Sequence, residues 1–233
     1  MSIHTSFNPK GRNELKHAIP KAEYFVLRNK LLHFLKRDPY AGANGKYTIR
    51  STYFDNFENK VLTEKKEGYL KRDKYRVRIY DKCERVIHLE RKSKRNNLTF
   101  KSKCKITRAE YEKMRISDIA WMEQDERALI RDLYREMYYS QIKPKTVVDY
   151  EREALIYPYG NIRITFDMKI QSSFYNTDMF NKNLPMVDVL EPELVILEVK
   201  YDDYIPEVIK QLLQLTDTRQ EAYSKYQLSR MFG

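Results

Sequence analysis

The feature that most constrains the fold is a two-residue alternation of charged and apolar side chains in several segments. The clearest case is residues 161–170, where five apolar side chains alternate with polar ones: Ile162, Ile164, Phe166, Met168 and Ile170. A period of two places the two sets on opposite faces of a β-strand. We therefore predict β-strands that each have one apolar face and one charged face.

Alternation and strand-type composition predict seven further strands. They cover residues 11–18, 47–55, 74–80, 85–92, 99–105, 145–157 and 194–200. The connections are short or contain isolated helices, which favours antiparallel pairing. Helices are predicted over 20–36 and 125–139, after Thr107, where Glu110 completes a capping-box spacing, and after Pro206.

The excess positive charge lies in one part of the chain. The sequence has 44 Lys and Arg and 33 Asp and Glu, which gives a formal charge of +11. Residues 60–105 hold 17 basic and 6 acidic residues and account for the whole excess. Such a block favours a polyanionic partner, which is nucleic acid, an anionic membrane surface or a phosphate chain. A solvated, lysine-rich surface is the alternative.

The charged strand faces favour a barrel over a flat sheet with one wet face. Lys74, Arg76 and Arg78 share one side of a strand, and Glu198 and Lys200 share one side of another. Like charges 4 Å apart repel by about 4 kcal/mol at an effective dielectric constant near 20, so a charged interior needs carboxylates and an anionic ligand. We predict an α+β fold: an eight-stranded antiparallel β-barrel with packing helices outside, in one domain over residues 1–233.

Several classes of function are excluded. The chain has six glycines and lacks the G-x-G-x-x-G and G-x-x-x-x-G-K phosphate-binding motifs. Cys83, Cys104 and the four histidines do not have zinc-ligand spacing, and two cysteines indicate a reducing compartment. No transmembrane or secretory segment is expected, so we predict a cytoplasmic protein. A nucleic-acid partner is not expected, because the arginines alternate with Val and Ile inside strands.

The charged residue types suit phosphate chemistry. Arginine binds phosphate oxygens through two parallel hydrogen bonds, and lysine supplies a mobile point charge. Carboxylates can hold a divalent cation that bridges to phosphate. Phosphoryl transfer needs little beyond positioning and charge neutralisation. Asp149, Glu151 and Glu153 share one face of residues 145–157 and are candidates to balance the cations.

Six motifs, in order, resemble the catalytic domain of the vacuolar transporter chaperone (VTC) polyphosphate polymerases, within the triphosphate tunnel metalloenzymes. They are Ser51-Thr-Tyr-Phe-Asp55, Lys74-Tyr-Arg-Val-Arg78, Leu89-Glu-Arg-Lys92, Arg163-Ile-Thr-Phe-Asp167, Leu197-Glu-Val-Lys200 and Tyr223-Ser-Lys-Tyr226. Arg12-x-Glu14-x-Lys16 is similar to the acidic and basic first strand of the superfamily. The resemblance covers roughly residues 10–230.

The resemblance implies a tunnel that binds a nucleoside triphosphate or polyphosphate together with Mn²⁺ or Mg²⁺. By motif, it implies seven phosphate contacts: Lys16, Arg76, Arg78, Lys92, Arg163, Lys200 and Lys225. It implies Glu198 as the principal metal ligand and Glu14 as a second one. The implied activity is that of a polymerase, which transfers the γ-phosphate of ATP to a growing polyphosphate chain.

Other functions stay open at this point. Tunnel relatives include hydrolases, so a triphosphatase or polyphosphatase is an alternative within the same fold. A non-catalytic polyphosphate- or phosphoinositide-type binding module is another. Eukaryotic relatives also have a phosphate-sensing helical domain and a membrane-spanning tail that this sequence does not match, and a membrane-protein partner is left open.

Overall fold

The computed structural model describes residues 11–96, 98–213 and 224–230, and its main element is a ten-stranded antiparallel sheet. The strands are β1 (Asn13–Pro20), β2 (Lys36–Arg37), β3 (Lys46–Asp55), β4 (Lys71–Tyr80), β5 (Cys83–Arg95), β6 (Leu98–Ile106), β7 (Lys143–Tyr157), β8 (Ile162–Ser172), β9 (Val187–Asp188) and β10 (Leu194–Tyr201). Eight of them follow the order β1-β10-β8-β7-β3-β4-β5-β6, while β2 pairs with β7 and β9 pairs with β8. The eight predicted strands are confirmed.

Six α-helices lie within the described residues, four of them between strands and two after β10. They are α1 (Lys21–Leu32), α2 (Lys60–Lys66), α3 (Arg108–Arg115), α4 (Ala128–Tyr139), α5 (Glu207–Leu212) and α6 (Lys225–Leu228). The predicted capping box is present at α3, where the Thr107 side chain accepts from Glu110 N at 3.1 Å and the Glu110 carboxylate accepts from Thr107 N at 2.6 Å. None of the described helices has both the length and the apolar character needed to cross a bilayer.

The sheet curls until its two end strands meet, but it is not closed into a barrel. Across the described part of the chain, β1 and β6 are joined by a single isolated bridge between Arg12 and Thr99. In antiparallel pairing the residues that follow Arg12 face those that precede Thr99, and β6 begins there, at Leu98. The bridge therefore cannot extend along β1. The α+β class is confirmed, and the predicted closure of the barrel is wrong.

Helices cover the outer face of the curled sheet. On one side, α3 and α4 pack on β4 and β5 through residues such as Tyr111, Leu133 and Val77. On the other side, α1 and α5 pack on β8 and β10, where Leu31 and Phe166 lie in the core. Burial of apolar surface contributes about 25 cal/mol per Å². The apolar faces of these strands therefore point outward, against the helices. The charged side chains, which alternate with the apolar ones, lie on the inner face.

The acidic residues of β7 that were expected to balance the interior cations lie on the outer face. Each has its own partner there: Asp149 binds Arg50 at 2.7 Å, Glu151 binds Lys169 at 2.7 Å, and Glu153 accepts from Tyr24 at 2.7 Å and from Arg28 at 2.8 Å. These three candidates therefore do not balance the interior cations, because the other alternating set of β7 residues, which includes Arg152, faces inward.

Candidate functional site

Strand pairing places all the predicted site residues of the sheet on the inner face. Directly paired residues of neighbouring strands point to the same side. The relevant pairs are Glu14–Lys200, Lys16–Glu198, Lys200–Arg163, Ser51–Arg78, Arg76–Glu90 and Lys74–Lys92. Lys225 reaches the same face from α6, where its ammonium group contacts Asp167.

Glu198 lies at the centre of the first charged group. Lys200 Nζ is 2.7 Å from its Oε1, while Arg152 Nη2 and Lys16 Nζ are 3.6 and 4.0 Å from its Oε2. Burial by itself raises the pKa of the Glu198 carboxyl, but the surrounding cations outweigh burial and hold the pKa well below its usual range. Glu198 is therefore a fixed negative charge at neutral pH.

Glu14 adds a second carboxylate to this group. Its Oε1 lies 2.7 Å from Lys16 Nζ, and its Oε2 accepts from Lys92 Nζ at 2.5 Å. Burial and the neighbouring Glu198 raise the pKa of Glu14, whereas Lys16 and Lys92 lower it, and the net pKa is below the usual value. Glu14 and Glu198 thus converge on one ammonium group, that of Lys16.

Asp167 extends the group toward α6. Arg152 donates to both of its oxygens, at 2.6 and 2.7 Å, and Lys225 contacts its Oδ2. Burial opposes ionisation, but Arg152 and Lys225 lower the pKa of Asp167 to about 2. Arg152 was not predicted, because it lies between two acidic neighbours in the sequence. Arg152 lies two residues after Tyr150 and therefore on the same face of β7, so the two-residue periodicity would have identified it.

A second charged group forms around Glu90. Arg76 Nε, Lys101 Nζ and Arg78 Nη1 lie 2.8, 2.6 and 3.8 Å from its carboxylate oxygens. Burial raises the pKa of Glu90, but Arg76 and Arg78 outweigh it and keep the pKa well below the usual range. Arg78 also donates to the Tyr150 hydroxyl at 2.9 Å, and Lys225 lies 4.6 Å from the centre of that ring. Tyr150 therefore connects the two groups.

Arg163 and Lys74 are inner-face cations that lie outside these groups. Arg163 Nη2 donates to Asp38 Oδ2 at 2.5 Å and to the Tyr47 hydroxyl at 2.9 Å, and Asp38 was not predicted. Lys74 Nζ donates to Ser224 Oγ at 3.2 Å. Burial, together with Lys92 and Lys16, lowers the pKa of Lys74 to about 7.

Positive charge is in excess on the inner face. Eight cations form ion pairs with four carboxylates of the inner face, Glu14, Glu90, Asp167 and Glu198, and these cations are Lys16, Arg76, Arg78, Lys92, Lys101, Arg152, Lys200 and Lys225. Repulsion between such close cations is substantial at reduced dielectric. An anion that joins them lowers this repulsion, so the arrangement is suited to a polyanionic ligand.

The two convergent carboxylates fit a divalent metal ion. No cluster of three or more His, Cys, Asp or Glu side chains suited to metal binding is found in residues 11–96, 98–213 and 224–230. Mg²⁺, however, is commonly held by one or two carboxylates, with water and substrate phosphate completing its coordination. Glu14 Oε1 is buried and lacks a hydrogen-bond donor of good geometry, so it has coordination capacity left. Glu14 and Glu198 are thus a suitable donor set for a metal shared with a phosphate ligand.

Comparison with known proteins agrees with this geometry. A family model described as the VTC domain matches residues 11–232. The chain belongs to the VTC domain family. A search of curated proteins finds no match.

Solved structures share the fold of this VTC domain. A candidate adenylate cyclase from Bacillus halodurans is 12% identical, with a TM-score of 0.54 over 91% of this chain and 95% of that one. A candidate adenylate cyclase from Vibrio parahaemolyticus is 10% identical, with a TM-score of 0.50 over 95% of this chain and 99% of that one. These likenesses show the fold, and with the family match they support the predicted place in the triphosphate tunnel superfamily.

Proposed function

We propose that this protein is a metal-dependent polyphosphate polymerase, which transfers the γ-phosphate of ATP to a growing polyphosphate chain held on the inner face. The observation that carries the proposal is the excess of Lys and Arg around four ionised carboxylates of the inner face, of which Glu90, Asp167 and Glu198 are buried. A phosphate chain has negative oxygens along its whole length, so it can neutralise a row of cations that no compact anion could span.

Each type of side chain would have a distinct role. Arg76, Arg78 and Arg163 would bind phosphate oxygens through paired guanidinium hydrogen bonds. The lysines would follow the chain as mobile charges; these are Lys16, Lys92, Lys200 and Lys225. In the free protein all seven of these groups form ion pairs with carboxylates, so phosphate oxygens would compete for donors that are already positioned.

Glu198 and Glu14 would hold the divalent ion, Mn²⁺ or Mg²⁺. When bound, such an ion neutralises charge on the phosphate oxygens during transfer. Because both carboxylates have lowered pKa values, they would be ionised and ready for metal at any pH above the mildly acidic range.

The state of the carboxylates favours a phosphate acceptor over water. A terminal phosphate oxygen is already an anion at neutral pH, whereas attacking water must lose a proton to a base. The four inner-face carboxylates have depressed pKa values and are therefore weak bases. The inner-face lysines with low pKa values, Lys74, Lys92 and Lys101, would gain protons when a polyanion binds, so they would not act as bases toward water. Polyphosphate synthesis is thus favoured over hydrolysis. The reaction would take place in the cytoplasm, where ATP is available.

The test is incubation of the purified protein with ATP and Mn²⁺, followed by measurement of ADP, free phosphate and long polyphosphate. We expect polyphosphate in proportion to ADP. Free phosphate equal to ADP would identify a hydrolase, and triphosphate binding without turnover would identify a binding module. Lys169→Met is the matched control, because Lys169 lies on the outer face with its side chain 70% exposed.

A further inference from the structure

The segment Ser224–Arg230 is fixed at one end of the inner face through Tyr226. The Tyr226 side chain is buried, and its ring lies 5.5 Å from that of Tyr53 on β3. Ser229 Oγ donates to the Tyr226 carbonyl oxygen at 2.7 Å, which holds α6 together locally. The Tyr226 hydroxyl makes a longer-range attachment.

That hydroxyl donates to Asp55 Oδ2 at 2.5 Å. Asp55 is completely buried at the end of β3. It also accepts from the backbone N–H groups of Asn56 and Val61, both at 2.9 Å, and from that of Leu62 at 3.3 Å. One carboxylate therefore joins β3, the first turn of α2 and α6.

The neighbours of Tyr226 point into the charged site. Lys225 contacts Asp167 and lies over the Tyr150 ring, and its side chain is 9% exposed. Ser224 Oγ accepts from Lys74. Because adjacent residues of a helix have a fixed angular relation, an anchor at Tyr226 determines where Lys225 lies.

We propose that Tyr226 and Asp55 are positioning residues, whose hydrogen bond sets the place of Lys225 on the inner face. The inference rests on the proposed function, because it treats Lys225 as a phosphate contact. Asp55 is the last residue of β3, the strand that carries Ser51 and Tyr53. The bond therefore places Lys225 relative to the Arg78 and Arg76 side chains, which contact Ser51 and Tyr53.

The test compares two tyrosines that lose the same atom. Tyr226→Phe removes the hydroxyl that binds Asp55. Tyr111→Phe removes an equally buried hydroxyl that donates to Thr177 O at 2.6 Å in the outer core. We expect the dissociation constant for inorganic triphosphate, measured by calorimetry without metal, to rise about tenfold in Tyr226→Phe, which is about 1.4 kcal/mol. It should be unchanged in Tyr111→Phe.

A double-mutant cycle shows whether Tyr226 acts through Lys225. Lys225→Met should weaken triphosphate binding by at least as much as Tyr226→Phe, and the double variant should bind as Lys225→Met alone does. Additive losses would overturn the inference, because Tyr226 would then act independently of Lys225. An unchanged affinity in Tyr226→Phe, or loss of its folded state by circular dichroism, would also overturn it.

The same titrations separate this inference from the proposed function. If the wild-type protein does not bind triphosphate, the proposed function fails and the inference fails with it. If the wild-type protein binds triphosphate and Tyr226→Phe binds it equally well, only the positioning role is wrong.

Discussion

Lys92 on β5 donates a 2.5 Å hydrogen bond to Glu14 on β1, across the gap between the two ends of the sheet. Strand β5 is next to the last strand in the sheet order, and β1 is the first. The same two groups are, in the proposed function, a phosphate contact and a metal ligand. Ligand binding and the contact between the sheet ends are therefore coupled through one ion pair.

Glu198 and Lys200 are expected to separate metal dependence from anion binding. Glu198→Gln keeps the shape but removes the charge that attracts the metal, so metal-dependent turnover should fall by at least a hundredfold, about 2.7 kcal/mol. Triphosphate binding without metal should persist or tighten. Lys200→Ala should do the reverse. Calorimetric titration with and without Mn²⁺, together with ATP turnover, checks both variants, and wild-type turnover in Glu198→Gln would place the metal elsewhere.

Lys74 is expected to give opposite pH trends for stability and for ligand binding. Its pKa is about 7 in the folded protein and has its usual value of 10.5 when the chain unfolds. Between these values the unfolded chain binds a proton that the folded chain lacks, so the free energy of unfolding rises with pH. Triphosphate affinity should fall over the same range, because binding requires the ammonium form. Denaturation and binding measured at several pH values check this. Lys74→Met should weaken both trends, and a residual slope is expected from Lys92 and Lys101, whose pKa values are lowered to about 8 and about 7.

Arg163 is expected to affect both the free protein and its response to ligand. Triphosphate at a hundredfold excess over its dissociation constant should stabilise the wild-type fold by about 2.7 kcal/mol. Arg163→Ala should reduce this gain, measured as the shift in melting temperature relative to its own ligand-free value. The ligand-free variant should also be less stable by about 1–3 kcal/mol, because the nearly buried Asp38 carboxylate loses its partner. A full ligand-induced shift in the variant would remove Arg163 from the site.

Arg152 is expected to be important for stability. Arg152→Met leaves Asp167, which is completely buried, with Lys225 as its remaining ion-pair partner. Removal of one partner costs about 3–5 kcal/mol when the other buried charge is left uncompensated, and because Lys225 remains we expect a loss at the lower end of this range. Urea denaturation checks this value against Lys169→Met, which breaks an exposed pair and should cost less than about 1 kcal/mol. Similar losses in the two variants would contradict the structural role of Arg152.

The sequence predicted those elements that follow from local periodicity. The alternation of Lys74, Arg76 and Arg78 indicated both β4 and its charged face, and the spacing of Thr107 and Glu110 indicated the start of α3. The two-residue strands β2 and β9 are too short to show any period. The first turn of α2 is held by Asp55, which precedes the helix by several residues and has no standard capping spacing.

The parts that could not be predicted depend on contacts between distant segments. Closure of the sheet depends on which β6 residue meets Arg12, and no local pattern contains that information. Asp38 reaches Arg163 from 125 positions away in the sequence. Charge alternation therefore indicates which face a residue occupies, whereas its partner on that face is set by tertiary structure.

In the proposed function, the single bridge between β1 and β6 has a consequence for how a long phosphate polymer would reach the site. Opening the sheet between β1 and β10 would disrupt eight paired positions, whereas opening it between β1 and β6 would break the two backbone hydrogen bonds of Arg12 with Thr99 and the Lys92–Glu14 contact. A fully closed cylinder can be loaded only by threading a free end. A cylinder with a slit along its wall can bind the middle of a polymer chain that enters sideways. It can also release the finished polymer sideways, without passing the whole length back through one end.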